Sequence, residues 1–164
     1  MNTSDIVTTL AEIFQSKNWK MSAAESCTGG LVCASLTEVA GSSEWFERGY
    51  ITYSNEAKME CLGVPGKLLE VYGAVSEEVA KAMAEGALIK AGVNAALSIT
   101  GIAGPSGGSK EKPVGMVCFG WAIRNDAGDN RVVAKTMYFD GDRQNVRQQA
   151  CDYVLSELTK LLEN

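Results

Sequence analysis

The spacing of apolar residues changes period several times along the chain. From Asp5 to Lys17, Ile6, Leu10, Ile13 and Phe14 recur on one helical face, which predicts an amphipathic helix with Ser4 as its N-cap. Lys20 to Ala24 predicts a short strand, and Thr28 to Val39 a helix entered through Gly29-Gly30. Arg48 to Tyr53 reads as a strand, with Tyr50 and Thr52 on one face and Ile51 and Tyr53 on the other. Asn55 to Leu62 predicts a helix, and Pro65 suits the first turn of another that ends near Gly73. Ser76 to Ala91 is the clearest helical segment: Ser76 caps it, Glu77 and Glu78 favour its positive end, and Gly92 stops it. Asn94 to Thr100 is an apolar run of strand length. Met116 to Arg124 and Arg131 to Phe139 alternate as the arms of a hairpin across residues 125–130. Asp142 to Leu162 predicts a last helix with Val146, Ala150, Tyr153, Val154, Leu158 and Leu161 inward.

Helices and strands that interleave imply an α/β class. Two late strands joined by a short turn make the expected sheet mixed rather than purely parallel. A length of 164 residues fits a single domain over residues 1–164. A chain of that size buries a core without disulfides or a structural metal.

Charge and cysteine content narrow the function. The net charge of −5 disfavours nucleic-acid binding, which calls for a basic face, but leaves room for one local basic pocket. The five cysteines are an odd number without Cys-x-x-Cys spacing, and there is no histidine. A zinc site would need cysteines and carboxylates at irregular spacing, so no metal is expected, and reduced thiols point to the cytoplasm. The segment from Met1 to Ile13 carries Asp5 and Glu12 and lacks the pattern of a secretion signal. No stretch approaches the roughly 20 apolar residues of a membrane span.

Three loops carry candidate chemistry. Ala24-Glu25-Ser26-Cys27-Thr28-Gly29-Gly30 joins a predicted strand to a predicted helix, where free N–H groups can stabilise an oxyanion. Helix capping by Ser26 or Thr28 is the competing reading. Tyr50 to Lys58 contains two tyrosines and a lysine one turn into a helix; a solvated Lys58 is the alternative. Ser98 to Ser109 begins where a buried strand ends. Gly101, Gly104, Gly107 and Gly108 let backbone approach a ligand there, although the loop is not a Walker loop. Without histidine, a Ser26 nucleophile must take lysine, tyrosine or a carboxylate as its base. Lys58 is the candidate, and Cys27 is the rival nucleophile.

These segments resemble the CinA C-terminal domain family, the bacterial nicotinamide mononucleotide amidases. The resemblance rests on residues 24–30, on Tyr53-Ser54-Asn55-Glu56-Ala57-Lys58, and on Gly73-Ala74-Val75-Ser76. It continues through Thr100 to Pro105 with Gly107-Gly108 and Lys112-Pro113-Val114-Gly115, and through Gly141-Asp142-Arg143 with Val146-Arg147. Five motifs in order span nearly the whole chain. The resemblance implies a three-layer α/β/α sandwich in a stand-alone version of the domain, without the N-terminal domain of longer CinA proteins. It implies Ser26 as nucleophile, Lys58 as general base and Tyr53 in support. The implied reaction is hydrolysis of nicotinamide mononucleotide to nicotinate mononucleotide and ammonia, with no cofactor. A homodimer or higher oligomer is also implied.

Substrate contacts are expected from Thr28, Gly29, Gly30, Asn55, Thr100, Gly101, Gly104 and Arg143. Arg143, Arg147 and the backbone N–H groups of residues 101–109 are candidates to bind the phosphate; pairing with surface carboxylates is the competing reading and weighs more on Arg147 than on Arg143. Three other functions compete: a binding module of the same family without turnover, an amidase for another small amide, and a factor acting on DNA.

Overall fold

In a computed structural model, which describes residues 1–163, the elements alternate much as the patterning predicts. The helices are α1 (Thr3–Lys17), α2 (Leu31–Leu36), α3 (Asn55–Leu62), α4 (Gly66–Tyr72), α5 (Glu77–Ala91) and α6 (Arg143–Glu163). The strands are β1 (Met21–Glu25), β2 (Phe46–Ile51), β3 (Ala95–Gly101), β4 (Met116–Arg124) and β5 (Asn130–Tyr138).

The strands form one mixed sheet in the order β2-β1-β3-β4-β5. β1 runs parallel to both β2 and β3, and β4 pairs antiparallel with β3 and with β5. Helices cover both faces, which makes the three-layer α/β/α sandwich. On one face α1, α2 and α6 pack on Met21, Ala23, Leu97, Ile99, Phe119 and Trp121. On the other, α5 lies against Ala24, Ala96 and Ala122, with α3 and α4 packed on α5.

The α5 face is lined by small residues, and that sets its spacing. Ser22 and Ser98 donate from their hydroxyls to the α5 carbonyls of Ala87 (2.9 Å) and Ala80 (2.6 Å). A Cβ on Gly120 would come within 2.4 Å of the Ala80 carbonyl oxygen. A Cβ on Gly86 of α5 would come within 2.1 Å of the Leu62 carbonyl oxygen, so α3 also seats on α5 where a side chain is missing.

Three elements differ from the sequence expectation, each for a local reason. The N-cap of α1 is Asn2, not Ser4: its side chain accepts from the Asp5 N–H at 2.9 Å, and Asp5 accepts from the Asn2 N–H. α2 is shorter than residues 28–39. Gly29 (φ 58°) and Gly30 (φ 106°) lie in the left-handed region, so they build a turn and the helix starts at Leu31. β2 runs from Phe46, which lies opposite Met21, to Ile51 rather than from Arg48 to Tyr53; just beyond its end Thr52 is buried while Tyr53 is exposed. On α6 the expected inward residues pack on the core, but Cys151, Leu155 and Leu162 are buried there too.

Candidate active site

β1, β2 and β3 are parallel neighbours, so the loops that follow them emerge at one end of the sheet. This is the crevice position in which α/β sheets hold ligands. Ser26 follows β1 directly, and its N–H still donates to the Ile99 carbonyl at 3.0 Å. Its side chain is therefore placed by the sheet rather than by a free loop.

Lys58 enters from α3. The Ser54 side chain caps that helix by accepting from the Ala57 N–H at 3.0 Å. Leu62 anchors the far end of α3 in the α5 core. The Lys58 side chain is only 1% exposed, an unusual state for lysine. Its Nζ lies 3.1 Å from Ser26 Oγ, 2.9 Å from the Thr52 carbonyl oxygen and 3.4 Å from that of Tyr53. Among the described residues no carboxylate pairs with it. Burial pushes its pKa down from the ordinary lysine value, against a smaller opposing influence of Cys27. As an ammonium, Nζ can donate to all three oxygens; as a neutral amine it keeps two N–H groups for the carbonyls and can turn its lone pair to the Ser26 hydroxyl. That arrangement can take a proton from Oγ.

Cys27 has the opposite electrostatics. Burial raises its thiol pKa to about 11, so at neutral pH it lacks the thiolate that a cysteine nucleophile needs.

Ser26, Cys27 and Lys58 open into a cavity of about 260 Å³ that is also lined by Tyr53, Asn55, Thr100, Gly101, Gly104 and Arg143. Arg143 donates to the Gly104 carbonyl (2.7 Å) and to the Tyr53 hydroxyl (3.1 Å), tying the loops after β3 and β2 together. The Thr100 hydroxyl donates to the Ala74 carbonyl at 2.9 Å, which brings residues 74 and 75 to the wall. Among the described residues no cluster of three or more histidine, cysteine or acidic side chains is placed to hold a metal.

The cavity thus gathers the expected residues from all three loops, with three exceptions. Thr28, Gly29 and Gly30 do not line it; they form the back of the turn. Two residues outside the expected set hold that turn. Glu25 is fully buried, and its carboxylate accepts from the N–H groups of Gly30 (3.1 Å), Val32 (3.0 Å) and Cys33 (2.9 Å). Among the described residues Arg147 pairs with no carboxylate, so the competing reading of surface pairing does not hold there. Arg147 donates to the Cys27 carbonyl (3.2 Å) and the Thr28 carbonyl (2.9 Å). A carboxylate just before a helix entry was the legible signal for Glu25; nothing in the spacing pointed to the contacts of Arg147.

The chain is similar to known proteins over nearly its whole length. The CinA C-terminal domain family model matches residues 3–162. The nicotinamide-nucleotide amidohydrolase PncC of Enterobacter agglomerans is 51% identical over 92% of this chain and 90% of its own length. A CinA-like protein of Syntrophobacter fumaroxidans is 50% identical over 93% of this chain but only 35% of its own length, so the chain spans about a third of that longer relative. The crystal structure of competence damage-inducible protein A from Klebsiella pneumoniae superposes with a TM-score of 0.94, at 35% identity, over 100% of this chain and 99% of that one. By sequence and by fold, the chain belongs to the CinA C-terminal domain family.

Proposed function

We propose that this chain is a nicotinamide-nucleotide amidohydrolase that converts nicotinamide mononucleotide and water to nicotinate mononucleotide and ammonia through Ser26 and Lys58. The observation that carries the reading is the 3.1 Å approach of Lys58 Nζ to Ser26 Oγ inside the cavity. The amidohydrolase name of a relative that matches nearly end to end supports the substrate.

Lys58 takes the Ser26 proton as Oγ attacks the carboxamide carbon. The oxyanion is held by backbone N–H groups of the turn after Ser26. The carbon–nitrogen bond then breaks, and the Lys58 ammonium returns the proton to the departing nitrogen, which leaves as ammonia. Water attacks the acyl-enzyme with Lys58 again as base, releasing nicotinate mononucleotide and restoring the Ser26 hydroxyl. Arg143 and backbone N–H groups of the loop after β3 receive the phosphate, with Tyr53 orienting Arg143.

Ammonia release from nicotinamide mononucleotide tests the reading. Ser26→Ala and Lys58→Ala should each lower kcat by about 10³-fold or more, and the double variant should be little worse than either. Near-normal turnover by Lys58→Ala would overturn the mechanism. The proposal places the enzyme in the cytoplasm as a homodimer or higher oligomer. The unpaired outer edge of β2, with Ile51 and Tyr53 exposed beside it, supports assembly. Sedimentation equilibrium at micromolar concentration measures it directly, and a monomer there would reject the assembly.

A further inference from the structure

Backbone hydrogen bonding around the Ser26 turn is nearly complete, and the exceptions are informative. The N–H groups of Ser26, Gly29 and Leu31 donate to the carbonyls of Ile99, Ser26 and Thr28. Those of Gly30, Val32 and Cys33 donate to the Glu25 carboxylate. From Ser26 to Cys33, among the described residues, only the N–H groups of Cys27 and Thr28 have no acceptor. Unpaired donors beside a buried nucleophile need an explanation.

The carbonyls of the same turn explain them. Arg147 reaches in from α6 with Nε on the Cys27 oxygen and Nη2 on the Thr28 oxygen. In a trans peptide the carbonyl and the following N–H point in opposite directions. Holding the Cys27 carbonyl toward Arg147 therefore turns the Thr28 N–H away from α6. The Ser26 carbonyl, held by the Gly29 N–H, turns the Cys27 N–H outward in the same manner. Arg147 itself does not line the cavity, so the guanidinium acts on the back of the turn rather than on the substrate.

We infer that Arg147 is a positioning residue: by holding the Thr28 carbonyl it fixes the peptide whose Gly29 N–H holds the Ser26 carbonyl, and so keeps the Cys27 N–H, which lies on the cavity wall, toward the oxyanion. The inference rests on the serine-amidase reading above. It assigns the two arginines of α6 different work. Arg143 faces the substrate, while Arg147 orients the backbone that stabilises the transition state. Two adjacent carbonyls suit the planar fork of guanidinium, and a single ammonium cannot reproduce it.

The test compares kcat and KM for nicotinamide mononucleotide in the wild type, Arg147→Ala, Arg147→Lys and Ser26→Ala, each with and without millimolar guanidinium chloride. Loss of an oriented oxyanion donor should lower kcat of both Arg147 variants by about 10²-fold, with KM nearly unchanged. Added guanidinium should restore part of the Arg147→Ala turnover, because the vacated space accepts it, and none of the Ser26→Ala turnover. Arg147→Lys keeps the charge and most of the stem, so it decides the matter if Arg147→Ala fails to fold. Wild-type kcat in Arg147→Lys, or a rise in KM with kcat kept, would overturn the inference while leaving the amidase intact. Full activity in Ser26→Ala would instead overturn the serine reading and this inference with it.

Discussion

At the scale of single residues, the proposed chemistry turns on a lysine that, among the described residues, has no counter-charge. Burial lowers the Lys58 pKa from the ordinary lysine value, so the neutral form that the proposed mechanism needs is reached at lower pH than for an exposed lysine. Turnover should rise with pH through that lowered pKa and level off before the ordinary lysine range, a profile that kcat measured across pH will reveal. The same shift affects stability. Between the lowered folded pKa and the unfolded value of roughly 10.4, the unfolded chain binds the proton that the folded chain does not, so stability rises with pH. The stability of the wild type relative to Lys58→Met should therefore increase with pH across that window, as denaturant titrations at several pH values would register. Cys27→Ala should keep kcat within about threefold of wild type, because a neutral buried thiol contributes no nucleophile; a collapse in kcat would return Cys27 to the mechanism. The approach of Lys58 to Ser26 was legible because the lack of histidine left few partners for a serine. Arg147 acts on backbone groups, and its choice of a carbonyl 119 or 120 positions away leaves no trace in local spacing.

At the scale of elements, the site depends on how α3 is seated. Gly86 provides the space for the α3 C-terminus, and Leu62 locks it there. Gly86→Ala should shift α3 on α5, costing about 1–3 kcal/mol of stability as overpacking does. It should also lower kcat, because the 3.1 Å contact at Ser26 moves with the helix. Thermal unfolding and steady-state kinetics on one preparation read both effects. Element positions were largely legible in the sequence, down to the Ser76 and Gly92 caps of α5. The ends of α2 were not. A pair of glycines is compatible with entering a helix or with turning before it, and the contacts of Glu25 and Arg147 select the turn.

At the scale of the molecule, one parallel block of three strands delivers its loops to one end, and α6 closes that end with both arginines. The mixed sheet was readable from the late hairpin, but the order of strands was not, because it depends on which helices pass over which face. The close contact between α5 and the sheet is a molecule-wide property with a local test. Gly120→Ala places a methyl against the Ala80 carbonyl and should destabilise by about 1–3 kcal/mol, while Gly128→Ala in the open turn meets no neighbouring atom and loses only its left-handed freedom, about 1 kcal/mol. Denaturant midpoints of the two variants make the comparison. The alanine and serine seam also limits how the sequence can drift. Enlarging one side of such a slot is tolerated only when the facing residue shrinks, so in a saturation library residues 22, 80, 87, 98 and 120 should survive as matched pairs and vanish as singles.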